Sequence, residues 1–280
     1  MLTASVTLFG VVFLCNDRYE KTGGSGSAAA FFFMFVSNAA GLSVMLIVNR
    51  FHISATAFTL WMGVAAALDS ALYTVCSLKA LGRINLSLYA VFAMLGGMLL
   101  PLLTGILFYR EPMTLAIGIC VLLIIAALAL TVKKDGRRGG FIWYAGVFVF
   151  NGLAGVLSKI FTEAPFPKTD AASYSIWAAA FTALIGGIGL LIVFRSLSRP
   201  GIAALLWSAG GGAVSRVANY WLVLALLVLP ASVQYPFVTG GTMIVSTLLA
   251  FAVGQRPSKR ELLAVGLSFL GILALVLIKI

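Results

Sequence analysis

Charge is scarce in this sequence. Asp, Glu, Lys and Arg make up 10% of its 280 residues, against about 25% in an ordinary soluble domain. So few polar groups cannot cover the surface of a chain this long. Its solvent must be lipid, and the sequence predicts an all-α, polytopic membrane protein. Histidine is almost absent: His52 stands alone, in a short link beside Arg50. Cysteine is rare. Cys15, Cys76 and Cys120 lie in apolar stretches with no close spacing, which leaves packing as their role and excludes a disulfide framework or thiolate metal centre. Paired carboxylates, metal-ligand clusters and nucleophile–base sets are missing as well. Hydrolysis and metal chemistry therefore have little to work with, and neither an enzyme nor a cofactor is expected. "GGSGS" at 23–27 has the glycines of a phosphate loop but no following Lys-Ser/Thr and no strand, so it reads as a flexible loop. "NLS" at 85–87 fits a glycosylation sequon but falls at a helix start. Residues 1–15 lack the basic start of a cleavable signal peptide, and a first spanning helix accounts for them.

Acid is the scarcer sign. Eight Asp and Glu face nineteen Lys and Arg, a net charge of +11. The basic residues sit singly or in small groups between apolar spans. That is the Lys/Arg excess of cytoplasmic membrane loops, not a nucleic-acid surface, so the expected environment is a lipid bilayer.

What the sequence does have is long apolar runs. A membrane helix needs about 20 such residues. Ten candidates run over about 2–16, 28–48, 56–78, 86–109, 113–132, 141–161, 171–194, 202–229, 231–253 and 260–278. The first is short and spans only if it continues toward Tyr19. The links between them leave no room for a second soluble domain. The most charged link carries Lys133, Lys134, Asp135, Arg137 and Arg138, and divides the chain into residues 1–135 and 136–280.

The halves resemble each other. Ser87–Pro112 aligns with Ser232–Pro257 without a gap, with identities at Ser, Phe92/Phe237, Gly96/Gly241, Met98/Met243, Leu103/Leu248 and Pro. "NR" at 49–50 and "FR" at 194–195 close helices at the same offset, and "LW" recurs at 60–61 and 206–207. A repeated unit of five spans must have its second copy upside down. The expected architecture is thus ten transmembrane helices as two inverted five-helix repeats, the plan of many secondary transporters. Links after the odd-numbered helices hold 13 Lys and Arg against five on the other side. The positive-inside rule then places both termini outside the cell membrane.

Seven of the eight acids lie in or beside links; only Asp69 lies deep. Among the bases only Arg216 lies deep, on the matching helix of the other half. Each would cost about 2.5–3.5 kcal/mol at mid-membrane if it faced lipid. Both must therefore face the protein interior or a wet cavity, as a mutual ion pair or as groups that bind substrate, gate or carry a proton. Helical spacing puts Tyr73 on the face of Asp69, and Asn219 and Tyr220 on that of Arg216. Gly96-Gly97 and Gly240-Gly241 occupy matched places in helices 4 and 9, fit either for close packing or for exposing backbone to a ligand. Gln234 and Tyr235 precede Pro236, which frees a helical carbonyl.

"FYREPMT" and "VGQRPSKRELLAVGLSFLGILAL" resemble the helix 4–5 and 9–10 hairpins of the EamA-like branch of the drug/metabolite transporter superfamily. The resemblance spans essentially the whole chain, though Gln255 and Arg256 stand where the family has Glu. It implies ten helices and alternating-access transport of small metabolites, commonly amino acids and often by export. It also implies both termini inside, against the charge count. The expected protein is a secondary transporter of a small polar or zwitterionic metabolite, acting as a monomer or homodimer, with or without a coupling proton. Asp69 would take an ammonium and Arg216 a carboxylate. The alternatives are a drug or cation exporter with Asp69 as counter-ion or proton carrier, and a non-transporting scaffold or lipid-handling enzyme.

Overall fold

A computed structural model describes residues 1–23, 26–81, 86–131, 141–193, 200–252, 254 and 258–277. These form ten helices: α1 Leu2–Thr22, α2 Ser27–Val48, α3 Ala57–Leu81, α4 Leu86–Tyr109, α5 Leu115–Thr131, α6 Phe141–Glu163, α7 Ala171–Val193, α8 Ile202–Leu226, α9 Ala231–Ala252 and α10 Lys259–Leu277. Helix is what a chain in lipid must form, because each backbone N–H then finds its acceptor within the segment. Six of them, α2, α3, α4, α6, α7 and α10, are long and apolar enough to cross a membrane, and α5 is apolar but shorter. Six such helices make this a multi-pass membrane protein. In α1, α8 and α9 polar residues interrupt the apolar run: Asn16 to Arg18, Arg216 with Asn219, and Gln234.

The first helix does continue past its expected end at 16. Its polar last turns are held by Lys21 paired with Asp17 at 2.7 Å, and by the Tyr19 hydroxyl, which donates to the Ala29 carbonyl of α2 at 2.6 Å. The charged middle link, the turn with Gln255 and Arg256, and Arg83, Asn85, Arg195, Arg199 and Lys279 lie outside the described residues.

Two bodies of packing position the site. On one side α4, α5, α9 and α10 enclose an apolar core built on Met98, Leu102, Ile117, Ile124, Leu128 and Met243. On the other, α1, α2, α3, α6, α7 and α8 pack together: α2 on α7 and α8, α3 on α6 and α7, and α1 on α8. Glycine permits the closest of these approaches. At Gly96 any side chain would collide with the Phe148 carbonyl of α6, and at Gly212 with the Ser37 backbone of α2. Large apolar side chains such as Trp61, Phe108, Leu122 and Ile192 remain exposed on the outside, as expected where lipid is the solvent.

Asp69 and Arg216 are not the only charged side chains drawn into the protein. Lys159 lies within the last turns of α6 and is 3% exposed. Its ammonium pairs with Glu111 at 2.6 Å and Glu163 at 2.9 Å, and lies 5.2 Å from the Tyr109 ring. The sequence places Glu111 in a turn and Lys159 near a helix end. What pulls both inside is tertiary: α4 and α6 are neighbours, and α9 starts beside them.

Candidate functional site

A cavity of about 340 Å³ opens between α1, α2, α3, α6, α7 and α8. Asp69, at the centre of α3, and Arg216, at the centre of α8, both line it. They do not pair with each other. Arg216 instead donates through Nη2 to Oδ1 of Asn38 on α2. Gly41 makes that reach possible, since a side chain there would come within 3.0 Å of Arg216 Cβ. Asp69 is 5% exposed, and its Oδ1 has no hydrogen-bond partner among the described residues. Buried carboxylate oxygens are almost always satisfied, and one that is not costs free energy. Here the cavity holds two ionisable groups of opposite sign, and the Asp69 oxygen keeps bonding capacity in reserve.

Tyr73 lines the same wall one turn on from Asp69, and Asn219 lies one turn from Arg216. Tyr174 of α7 also faces the cavity, within electrostatic range of both charges. Its other face stacks on Phe161 at 4.2 Å between ring centroids, and Phe161 stacks in turn on Phe58 at 6.3 Å. Tyr174 lines the cavity, and the stack of rings behind it lies toward the end where α3 and α7 begin.

The remaining expected residues divide. Gly97 and Tyr235 line a second cavity, which Asn219 also borders. The Tyr235 hydroxyl donates to the Gly155 carbonyl at 3.1 Å. Tyr220 lines neither cavity; it packs among apolar side chains including Met45, Met62 and Phe161. Gln234 is fully buried and ties α9 to α8 by donating to the Leu222 carbonyl at 2.8 Å. Gly96 is pressed against Phe148, Gly240 against Ile124 and Ile272, and Gly241 against Val6. For these three the contacts are those of helix packing. Asn38, Asn151, Ser158 and Tyr174 line the first cavity without having been singled out in the sequence. Their signal was present, because each is a polar side chain inside an apolar run, but a search for charge alone passes over them.

Two polar junctions join residues 1–135 to residues 136–280, both at the end of the bundle where α3, α7 and α9 begin. In the first, Asp170 accepts from the Ala172 and Ser173 backbone N–H groups at 3.1 Å each, and from the Ser54 hydroxyl at 3.2 Å. Ser54 also reaches the Ser173 hydroxyl at 3.0 Å, and Trp177 Nε1 donates to the Ser54 carbonyl at 3.0 Å. In the second, Glu111 accepts from Lys159 and from the Ala231 and Ser232 N–H groups at 2.9 and 2.8 Å. The carboxylate therefore sits on the free amides at the start of α9, where a helix favours negative charge. Arg110, at φ 55°, turns the chain so that the Glu111 N–H caps the Gly105 carbonyl at 3.0 Å. Burial pushes the Glu111 pKa up, but the bonds from Lys159, Ser232 and Ala231 outweigh it and hold the group below its ordinary value. Asp170 is likewise held low: burial opposes this, and the bonds from Ser173 and Ser54 prevail.

A solved structure described only as "Crystal structure of protein" shares this fold. It is similar at a TM-score of 0.74 and 16% identity over 99% of this chain and 97% of that one. No family model and no curated protein matches the sequence.

Proposed function

We propose that this chain is a secondary transporter of small zwitterionic metabolites, amino-acid-like in charge, working by alternating access. One observation carries the reading. Asp69 and Arg216 line a single cavity from two different helices, α3 and α8, and form no ion pair with each other. Ionisable groups at mid-membrane are expensive, and functional use is their ordinary justification. A carboxylate short of donors suits an ammonium, and a guanidinium suits a carboxylate. The reading takes the ten helices as membrane spans in two inverted units, 1–135 and 136–280. Their packing supports this. Adding five to each helix number converts α3–α6 into α8–α1, α4–α6 into α9–α1, α3–α7 into α8–α2 and α4–α5 into α9–α10, all of which are contacts. The pairs α2–α7, α4–α9 and α5–α10 map onto themselves. The resemblance to EamA-like transporters points the same way.

The test is flux into proteoliposomes with a panel of labelled amino acids. Wild type moves at least one of them; Asp69→Asn and Arg216→Gln each lower its uptake by about tenfold or more, as truncating one partner of a buried charged contact does. Undiminished flux in both variants rejects the reading. A second reading, in which Asp69 is the counter-ion for an organic cation or carries a proton, is favoured by its unsatisfied Oδ1. It predicts that Arg216→Gln leaves flux intact while Asp69→Asn abolishes it.

A further inference from the structure

A second cavity, about 240 Å³, adjoins the first between α1, α4, α6, α8 and α9. Asn151, Ala154, Ser158 and Asn219 line both. The chemistry changes across that shared boundary. Asp69 and Arg216 lie wholly on the first side. The second is walled by Phe9, Phe13, Met94, Leu222 and Val238, with no charged side chain among the described residues. Its volume is many times the about 10–15 Å³ that one water needs. Its polar groups, Asn151, Ser158, Asn219, Tyr235, Thr239 and Thr242, carry no formal charge, and the side chains of Phe9, Phe13, Met94, Leu222 and Val238 give the space an apolar wall that suits an apolar group.

The boundary carries polar atoms with bonding capacity left over. Asn151 Nδ2 donates to the Ala93 carbonyl at 2.6 Å, and Asn219 Nδ2 to the Ser215 carbonyl at 2.8 Å. Each amide nitrogen is thus engaged by at least one bond, while neither amide oxygen has a protein partner among the described residues. Gly97 leaves room for this arrangement, since a side chain there would crowd Asn151 Nδ2 at 2.7 Å. Thr242, in the wall of the second cavity, is 5% exposed and carries a buried hydroxyl with no partner among the described residues.

We infer that this second cavity is a side-chain subsite: the ligand's charged head lies between Asp69 and Arg216, and its aliphatic or aromatic side chain crosses the Asn151–Asn219 sill into the second space. The substrate class is then apolar amino acids or zwitterions of similar shape, not small polar ones. This rests on the proposed reading of the first cavity as the head-group site. The sill's two oxygens meet an N–H near the substrate's branch point, and the Thr242 hydroxyl supplies one polar contact in the wall of the second space.

Calorimetric titration of the full chain in nanodiscs with glycine, alanine, leucine and phenylalanine tests it. Leucine and phenylalanine should bind at least about tenfold more tightly than alanine, since each methylene seated in an apolar pocket is worth about that much. Val238→Phe and Leu222→Phe fill the space from different walls, and each should bring the leucine-to-alanine ratio toward one. Thermal melting verifies that both variants are folded. If the probes bind and depend on Asp69 and Arg216 but ignore side-chain size, the inference fails and the head-group reading stands. An unchanged ratio in both filled variants overturns it equally. If no probe binds wild type, the head-group reading fails and the subsite goes with it.

Discussion

At the scale of single residues, the buried pair of Glu111 and Lys159 has the firmest consequences. Each side chain is less than a tenth exposed, and each is the other's main compensation. Lys159→Met leaves a carboxylate buried with amide donors only. It should lower stability by about 3–5 kcal/mol, read as a fall in melting temperature in detergent. Combining it with Glu111→Gln should recover most of the loss, because the only carboxylate then left without Lys159 is Glu163, which is 40% exposed and can be solvated. Acid should act on the same contact. The folded pKa of Glu111 is held below its ordinary value, so its stabilisation is complete above that value and drains away as pH falls through the folded one. Wild type should therefore lose melting temperature on acidification below about pH 4.3, the ordinary carboxylate midpoint, and Glu111→Gln should lose less. The sequence disclosed Asp69 and Arg216 because a charge in a long apolar run is conspicuous. It hid Glu111 and Lys159 because both stand near helix ends, where charge is commonplace. Only the meeting of three helices reveals that this end is covered.

At the scale of elements, the helices were largely legible, since a run of about 20 apolar residues permits little else in lipid. The first was least so. Its second half is polar, and what keeps it helical is the Tyr19 contact to α2 and the Asp17–Lys21 pair, neither of which a hydropathy window registers. Which faces meet was not legible. Gly96 and Gly97 read alike in sequence, yet one lies against the Phe148 carbonyl and the other borders a cavity. Helical rotation separates neighbouring residues by about 100°, so adjacent glycines cannot share one environment. Gly96→Leu should force α4 from α6 and cost at least about 1–3 kcal/mol, measured as a lower melting temperature. Gly266→Leu, on open space, should leave it nearly unchanged.

At the scale of the whole molecule, both polar junctions and the stack of Tyr174, Phe161 and Phe58 lie toward one end of the bundle. If the chain works by alternating access, that end must part during each cycle. The Ser54 and Ser173 hydroxyls, 3.0 Å apart on opposite halves, offer a place to stop it. In Ser54→Cys combined with Ser173→Cys, an oxidant should form a disulfide that brings flux to background, and a reductant should restore it. The three native cysteines are buried and should not interfere. Continued transport by the oxidised double variant would show that the junction stays closed throughout the cycle. None of this closure was readable from sequence, because each junction joins residues more than a hundred positions apart, apart from Glu111 and Lys159. Such pairings are set by how the halves dock, not by any local pattern.

The placement of Glu111 also bears on biogenesis. The α9 amides that it accepts from are 120 residues further along the chain. A ribosome delivers α4 and α5 before any partner of the Glu111 carboxylate exists; α6 then brings Lys159, but the two amides wait for α9. Until then water at the membrane surface must take the place of those amides. A chain halted before α9 should accordingly remain open to protease at that hairpin, and release of the full-length product should close it.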